Sequence, residues 1–174
     1  LYCEKPLTHK VSEARAMAVT AAKHKRVTQM GTQIHAGDNY RRVVELVQAG
    51  AIGPIKAVHV WAGATYGNVG LSNPGVPPEN LDYDLWLGPL PYRPFRKEYA
   101  PFAWRNFWVF GGGTLADFWC HYSDLAFWAL ELKYPNTVHC HRGVARPERT
   151  TLQMRVKYEY PARGKKPPVT LHWY

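Results

Sequence analysis

Asp117 and His121 stand four residues apart in the run Gly111-Gly-Gly-Thr-Leu-Ala-Asp117-Phe-Trp-Cys-His121-Tyr-Ser-Asp124. On a helix that spacing puts both side chains on one face. Asp124, three residues after His121, falls close to the same stripe. A carboxylate beside an imidazole tunes its pKa and fixes its orientation, and histidine is the side chain best suited to proton transfer near neutral pH. The three glycines allow a ligand or another backbone to approach the helix start. Taken alone, an Asp-x-x-x-His pair is more often a structural or exposed pair than a catalytic one. A second element is Glu4-Lys5-Pro6, at the end of a short strand pattern. Ligands of open α/β sheets bind at the carboxyl ends of strands, where a lysine can donate to a hydroxyl or a ribose.

Other residues invite weaker readings. His139-Cys140-His141 has the residue types of a metal site. On a strand, however, the two histidines share a face while the cysteine points away, and no fourth ligand has suitable spacing, so no metal is expected. Gln33 and His35 end a strand pattern that would face a cofactor. Arg105, Tyr92 and Tyr66 are candidate substrate contacts from a long irregular stretch, and Asp124 serves either a substrate or helix packing.

The elements that must hold these residues are legible as patterns. Leu1 to Cys3 reads as the end of a strand. Thr8 is the expected N-cap of an Ala-rich helix to about Lys25, with Val11, Ala14, Ala18 and Ala21 or Ala22 as its packing stripe. Val27 to Ile34 is the next strand. Asp38 is expected to cap a second helix that buries Val43, Val44, Leu46 and Val47 and ends at Gly50. Ile55 to Trp61 is β-branched and aromatic, hence a strand. This alternation is the rhythm of an α/β fold. Gly63 to Phe110 is dense in Gly, Pro, Asn and aromatics, and reads as an ordered excursion near a pocket. A helix from about Thr114 to Leu130 follows. Thr137–Val144, Thr151–Tyr160 and Val169 onward form three strands whose short links predict antiparallel pairing.

Bulk properties exclude several classes. The chain has 174 residues, 46% of them hydrophobic and 20% charged, as in globular proteins. Aromatics reach 14% with seven Trp, which suits core packing and also pockets for sugars. The net charge of +9 is scattered rather than gathered into a stripe. No nucleic-acid module accompanies it, though such a field draws anionic ligands. Cys3, Cys120 and Cys140 are too widely spaced for a disulfide framework and read as buried thiols. No apolar stretch is long enough to span a membrane, so no membrane partner is expected.

Together, Tyr2-Cys-Glu-Lys-Pro-Leu7, Gly31-Thr-Gln33, the Tyr40 to Gly53 stretch (YRRVVELVQAGAIG) and Gly111 to Asp124 resemble the Gfo/Idh/MocA oxidoreductases over nearly the whole chain. Trp86–Pro89 and Trp104-Arg105 resemble a subgroup with a longer excursion. The resemblance implies that residues 1–36 end an NAD(P)-binding Rossmann domain. Residues 37–174 would then be an incomplete C-terminal α/β domain, a mostly antiparallel sheet with helices on one face, which handles substrate and forms a homo-oligomer. It implies NAD or NADP as cofactor, with Glu4, Lys5, Pro6 and Gln33 on its side. It also implies catalytic roles for Lys5, Asp117 and His121. A sugar or polyol substrate would meet Asp117, His121, Asp124, Arg105 and Tyr66.

The rival readings are a glycosidase of the same fold that works by transient oxidation, and a non-catalytic ligand-binding or scaffold member. A cytoplasmic location is expected, or a periplasmic or exported one if a signal precedes Leu1. No G-x-G-x-x-G occurs in the chain, so by itself it is expected to be inactive. The resemblance predicts roughly 100 preceding residues carrying that motif between a strand and a helix. The gene sequence upstream of Leu1 checks this, and a different module there would remove the Rossmann assignment.

Overall fold

The structure is a computed structural model that describes residues 1–63, 65–144 and 146–174, with the Arg142 side chain set aside. Two sheets organise it. Strands β1 (Tyr2–Glu4) and β2 (Gln29–Gly31) pair in parallel, with Cys3 opposite Met30. Strands β3 (Ala57–Val60), β4 (Thr137–Arg142), β5 (Arg155–Tyr160) and β6 (Val169–Trp173) form a second sheet in the order β3-β6-β5-β4. The Thr170 N–H donates to the Lys56 carbonyl and the Tyr174 N–H to the Val60 carbonyl, so β3 and β6 advance together and are parallel. The Asn136 N–H donates to the Glu159 carbonyl, so β4 begins where β5 ends and the two are antiparallel. The sheet is therefore mixed. The expected antiparallel strands gain one parallel neighbour from earlier in the chain.

Contacts divide the chain into two compact units. The first comprises residues 1–58, 119–136 and 159–170. It contains helices α1 (Val11–Lys23) and α2 (Asp38–Gln48). The second comprises residues 59–118, 137–158 and 171–174 and contains the short helix α3 (Tyr83–Leu87). Helix α4 (Gly113–Tyr122) runs from the second unit's residues into the first's, and α5 (Asp124–Leu130) follows it.

In the first unit α2 packs on α5, burying Val44 together with Ala126, Ala129 and Leu130. Gly50 ends α2 as expected. Its φ of +81° lets the Gly50 N–H reach the Val47 carbonyl and the Ala51 N–H reach that of Leu46, a Schellman closure. In the second unit the long excursion is ordered around its own core of Tyr83, Leu87, Phe95, Tyr99 and Phe107. The Asp82 carboxylate accepts from the Leu85 N–H at 2.9 Å and so caps α3. Strand β6 alternates as a half-buried strand must, with Val169, Leu171 and Trp173 at 1%, 0% and 1% exposure.

Several expectations are corrected. Lys10 rather than Thr8 precedes α1, and the orphan N–H groups of His9 and Lys10 donate to the Glu13 carboxylate. The α1 stripe is not buried. Val11 and Ala18 are exposed and only Ala14 and Ala21 are half-covered. The strand expected over 27–34 is three residues long and gives way to a 3₁₀ turn at Gln33–Ala36. Gly37 occupies the cap position of α2 and Asp38 its first turn, where a carboxylate favours the helix dipole. Leu46 points out at 52% exposure. The later strands are shorter, β4 stopping at Arg142 and β5 starting at Arg155. The helix expected over 114–130 breaks at Ser123, whose hydroxyl donates back to the Trp119 carbonyl. Cys3 and Cys140 are exposed and Cys120 half-buried, so the cysteines are not core residues. Leu171→Ala is expected to cost about 2–5 kcal/mol, because a fully enclosed side chain leaves a cavity. Chemical denaturation checks this, and a loss below about 1 kcal/mol would show that β6 is not a core strand.

Candidate functional site

The glycines ahead of α4 place its chemistry. A Cβ on Gly111 would lie 2.6 Å from the Arg105 Cα, so glycine is needed for the two backbones to touch. Gly112 and Gly113 hold φ of +70° and +74°, which L side chains resist. The helix entry is thereby pressed against the 3₁₀ turn Ala103–Asn106, which carries Arg105. The expected close approach at these glycines is thus made in part by another segment of the same chain.

That approach builds the first cluster, wholly within the second unit. Arg105 Nε donates to an Asp117 carboxylate oxygen at 3.1 Å, with the two side chains 24% and 13% exposed. The guanidinium also lies over the rings of Trp104, at 4.3 Å, and Phe102, at 4.8 Å. Stacking holds the planar group edge-on to the carboxylate, a role lysine could not fill. Tyr66 joins the pair. Its ring stacks on Phe118 at 5.9 Å, and its backbone N–H donates to the Thr114 hydroxyl at 2.8 Å. Burial raises the Tyr66 phenol above its ordinary pKa, as do the Asp117 charge and a hydrogen bond to it, while Arg105 partly offsets them. Tyr66 therefore keeps its proton and remains a donor. The cluster offers an oriented acceptor, a fixed cation and a neutral donor, a set that suits a hydroxylated ligand.

His121 sits one turn after Asp117 on α4 and is half-buried. Its backbone carbonyl accepts from the Tyr40 hydroxyl at 3.3 Å. Burial raises the Tyr40 phenol pKa, with the Asp124 and Tyr122 charges adding to it. The Asp124 carboxylate meets His35 Nδ1 at 2.7 Å. The His35 ring stacks on Trp128 at 4.2 Å and 18°. The break at Ser123 starts α5 at Asp124, the residue that makes this contact. Arg105 and Asp124, both expected near a substrate, thus each meet another side chain, Asp117 in the second unit and His35 in the first.

The remaining predicted residues lie along the first unit's parallel strands. Glu4 ends β1 and is exposed; Lys5 follows it, half-buried, and its peptide bond to Pro6 is cis. Gln33 is exposed and opens the turn that carries His35. Lys5 and Gln33 thus sit just past the carboxyl ends of β1 and β2, the edge where open α/β sheets take ligands. In the second unit Tyr92 is 77% exposed on a loop. The rings of His139 and His141 share one face of β4, with centroids 6.1 Å apart. Tyr40, Trp128 and Phe118 were not singled out by sequence. The places of Trp128 near Asp124 and of Phe118 beside Asp117 could have drawn attention to them, whereas Tyr40 stands 81 positions from the His121 it meets.

A mixed sheet of this order with helices defines an α/β domain. Residues 39–165 match the oxidoreductase family, C-terminal alpha/beta domain, of the Gfo/Idh/MocA type. The chain belongs to that family. No curated protein matches it. Among solved structures it resembles a super-repressor mutant of Gal80p from Saccharomyces cerevisiae, with a TM-score of 0.60 at 12% identity. The likeness covers 99% of this chain and 41% of that one, and it concerns the fold.

Tyr66 provides a test of the cluster. Its raised pKa favours the folded state below about pH 10, and that contribution is lost as pH rises through the folded-state value. Absorbance titration at alkaline pH should show a late-ionising phenol that disappears in Tyr66→Phe. In Asp117→Asn it should move down, towards the ordinary value. An unchanged profile in Asp117→Asn would mean that the carboxylate does not act on the phenol.

Proposed function

We propose that the whole protein transfers a hydride between a nicotinamide cofactor and the hydroxyl carbon of a sugar or polyol. Membership of an oxidoreductase family supports the reaction class. The observation that carries the reading is the pair Asp117 and His121 one turn apart on α4, with Asp117 held by Arg105 beside a protonated Tyr66. His121 takes the hydroxyl proton as general base, Asp117 orients the sugar through its hydroxyls, and Lys5 stabilises the developing alkoxide. The carboxyl edge of β1 and β2 fits the nicotinamide end of a dinucleotide, which Lys5 and Gln33 would hold through hydroxyl contacts; the cofactor supplies the redox chemistry. Residues 1–36 are the tail of the cofactor domain and 37–174 the substrate domain, acting in a homo-oligomer.

A second reading is a member that binds ligand and regulates without turnover. The likeness to the fold of a repressor favours it. In the complete chain, His121→Ala should leave cofactor affinity unchanged and lower turnover by about 10²–10⁴-fold. Calorimetry with NAD and NADP, followed by turnover across a panel of sugars and polyols, measures both. Wild-type turnover in His121→Ala excludes the general-base role. Cofactor binding by the parent protein with no turnover on any of the panel favours the regulatory reading.

A further inference from the structure

The second unit contains a cleft of about 260 Å³ at the amino end of α4, lined by Gly112–Leu115, Thr150–Arg155 and the aromatic rings of Trp108 and Tyr174. Tyr66, Arg105 and Asp117 do not line it, although Thr114, whose hydroxyl accepts from the Tyr66 N–H, does. We propose that this cleft binds a small molecule through an oxyanion, a phosphate or a carboxylate. Three independent observations meet there. The first N–H groups of the ten-residue α4 have no acceptor within the helix, and they carry its positive dipole end.

Thr150 is 1% exposed, and its hydroxyl oxygen is buried without a hydrogen-bond partner. It lies against the helix start, because a Cβ on Gly113 would stand 2.7 Å from it. Buried hydroxyls are rarely left unmatched, and an unmatched one points to a ligand or water that completes it. The third observation is charge. Arg155 lines the cleft and no Asp or Glu among the described residues does. Arg155 is exposed, with its guanidinium 5.7 Å from the Tyr174 ring, so it closes over an anion without leaving an aromatic support.

The volume admits a phosphate or carboxylate with a body of a few heavy atoms, and is too small for a dinucleotide. The oxyanion takes the N–H groups of Gly113 and Thr114, the Thr150 hydroxyl and the Arg155 guanidinium. The site adds a binding function to the chain and does not depend on the hydride-transfer reading.

Amide NMR of the complete chain, titrated with inorganic phosphate and separately with acetate at constant ionic strength, tests it. Saturable shifts at Gly113 and Thr114 are expected. Tighter binding of phosphate assigns a phosphorylated ligand, and tighter binding of acetate a carboxylate. Arg155→Gln should weaken binding by about tenfold or more, through loss of a charge-assisted contact. Thr150→Val, which keeps the shape and removes the hydroxyl, should weaken it severalfold. Should Thr150→Val fail to fold, the exposed Arg155→Gln decides. Shifts that chloride reproduces, that do not saturate, or that survive the substitutions unchanged overturn the proposal.

Discussion

The contact between Gly111 and the Arg105 backbone constrains everything built around α4. Because no side chain separates them, the helix entry lies against the 3₁₀ turn, and the guanidinium reaches Asp117 about one turn into the helix. A part-buried carboxylate needs a partner, since the desolvation of an isolated charge is costly. Arg105 supplies it while the Trp104 and Phe102 rings fix its plane. Asp117 is consequently an oriented acceptor rather than a mobile surface charge. Burial first, and then its field, keep the Tyr66 proton in place.

A second carboxylate follows the same logic in the first unit. Ser123 interrupts the helix by bonding back to the Trp119 carbonyl, and α5 starts at Asp124. Asp124 then fixes His35, which Trp128 supports from one side. Both acidic residues of the motif are therefore matched with a planar cationic or titratable group stacked on aromatics. His121 lies between them in sequence, its backbone held by Tyr40. The motif's carboxylates position other groups as much as they face a ligand, so truncating either would disturb geometry as well as charge.

The glycine run shows how one sequence feature serves several physical demands. Gly111 permits backbone contact, Gly112 and Gly113 adopt positive φ, and Gly113 also makes room for Thr150. Thr150 is then left with a buried, unmatched hydroxyl at the helix's positive end. That feature is invisible in a motif defined by Asp and His alone. It arises because residues 150–155 return beside a helix that begins some forty positions earlier.

Local sequence determined what depends on neighbouring residues. The Asp117 to His121 spacing fixed a shared helix face, Gly50 fixed the end of α2, and the alternation of Val169, Leu171 and Trp173 fixed a half-buried strand. The motifs also identified the family. Burial and pairing were another matter, because they depend on what covers a face rather than on the face itself. The α1 stripe has the spacing of a packing face, yet Val11 and Ala18 are exposed, and Leu46 looked inward but faces out. Parallel pairing of β3 with β6, the guanidinium on Asp117 and the imidazole on Asp124 join residues 12 to 114 positions apart. Spacing along a chain carries no information about such partners, so only the tertiary structure decided them.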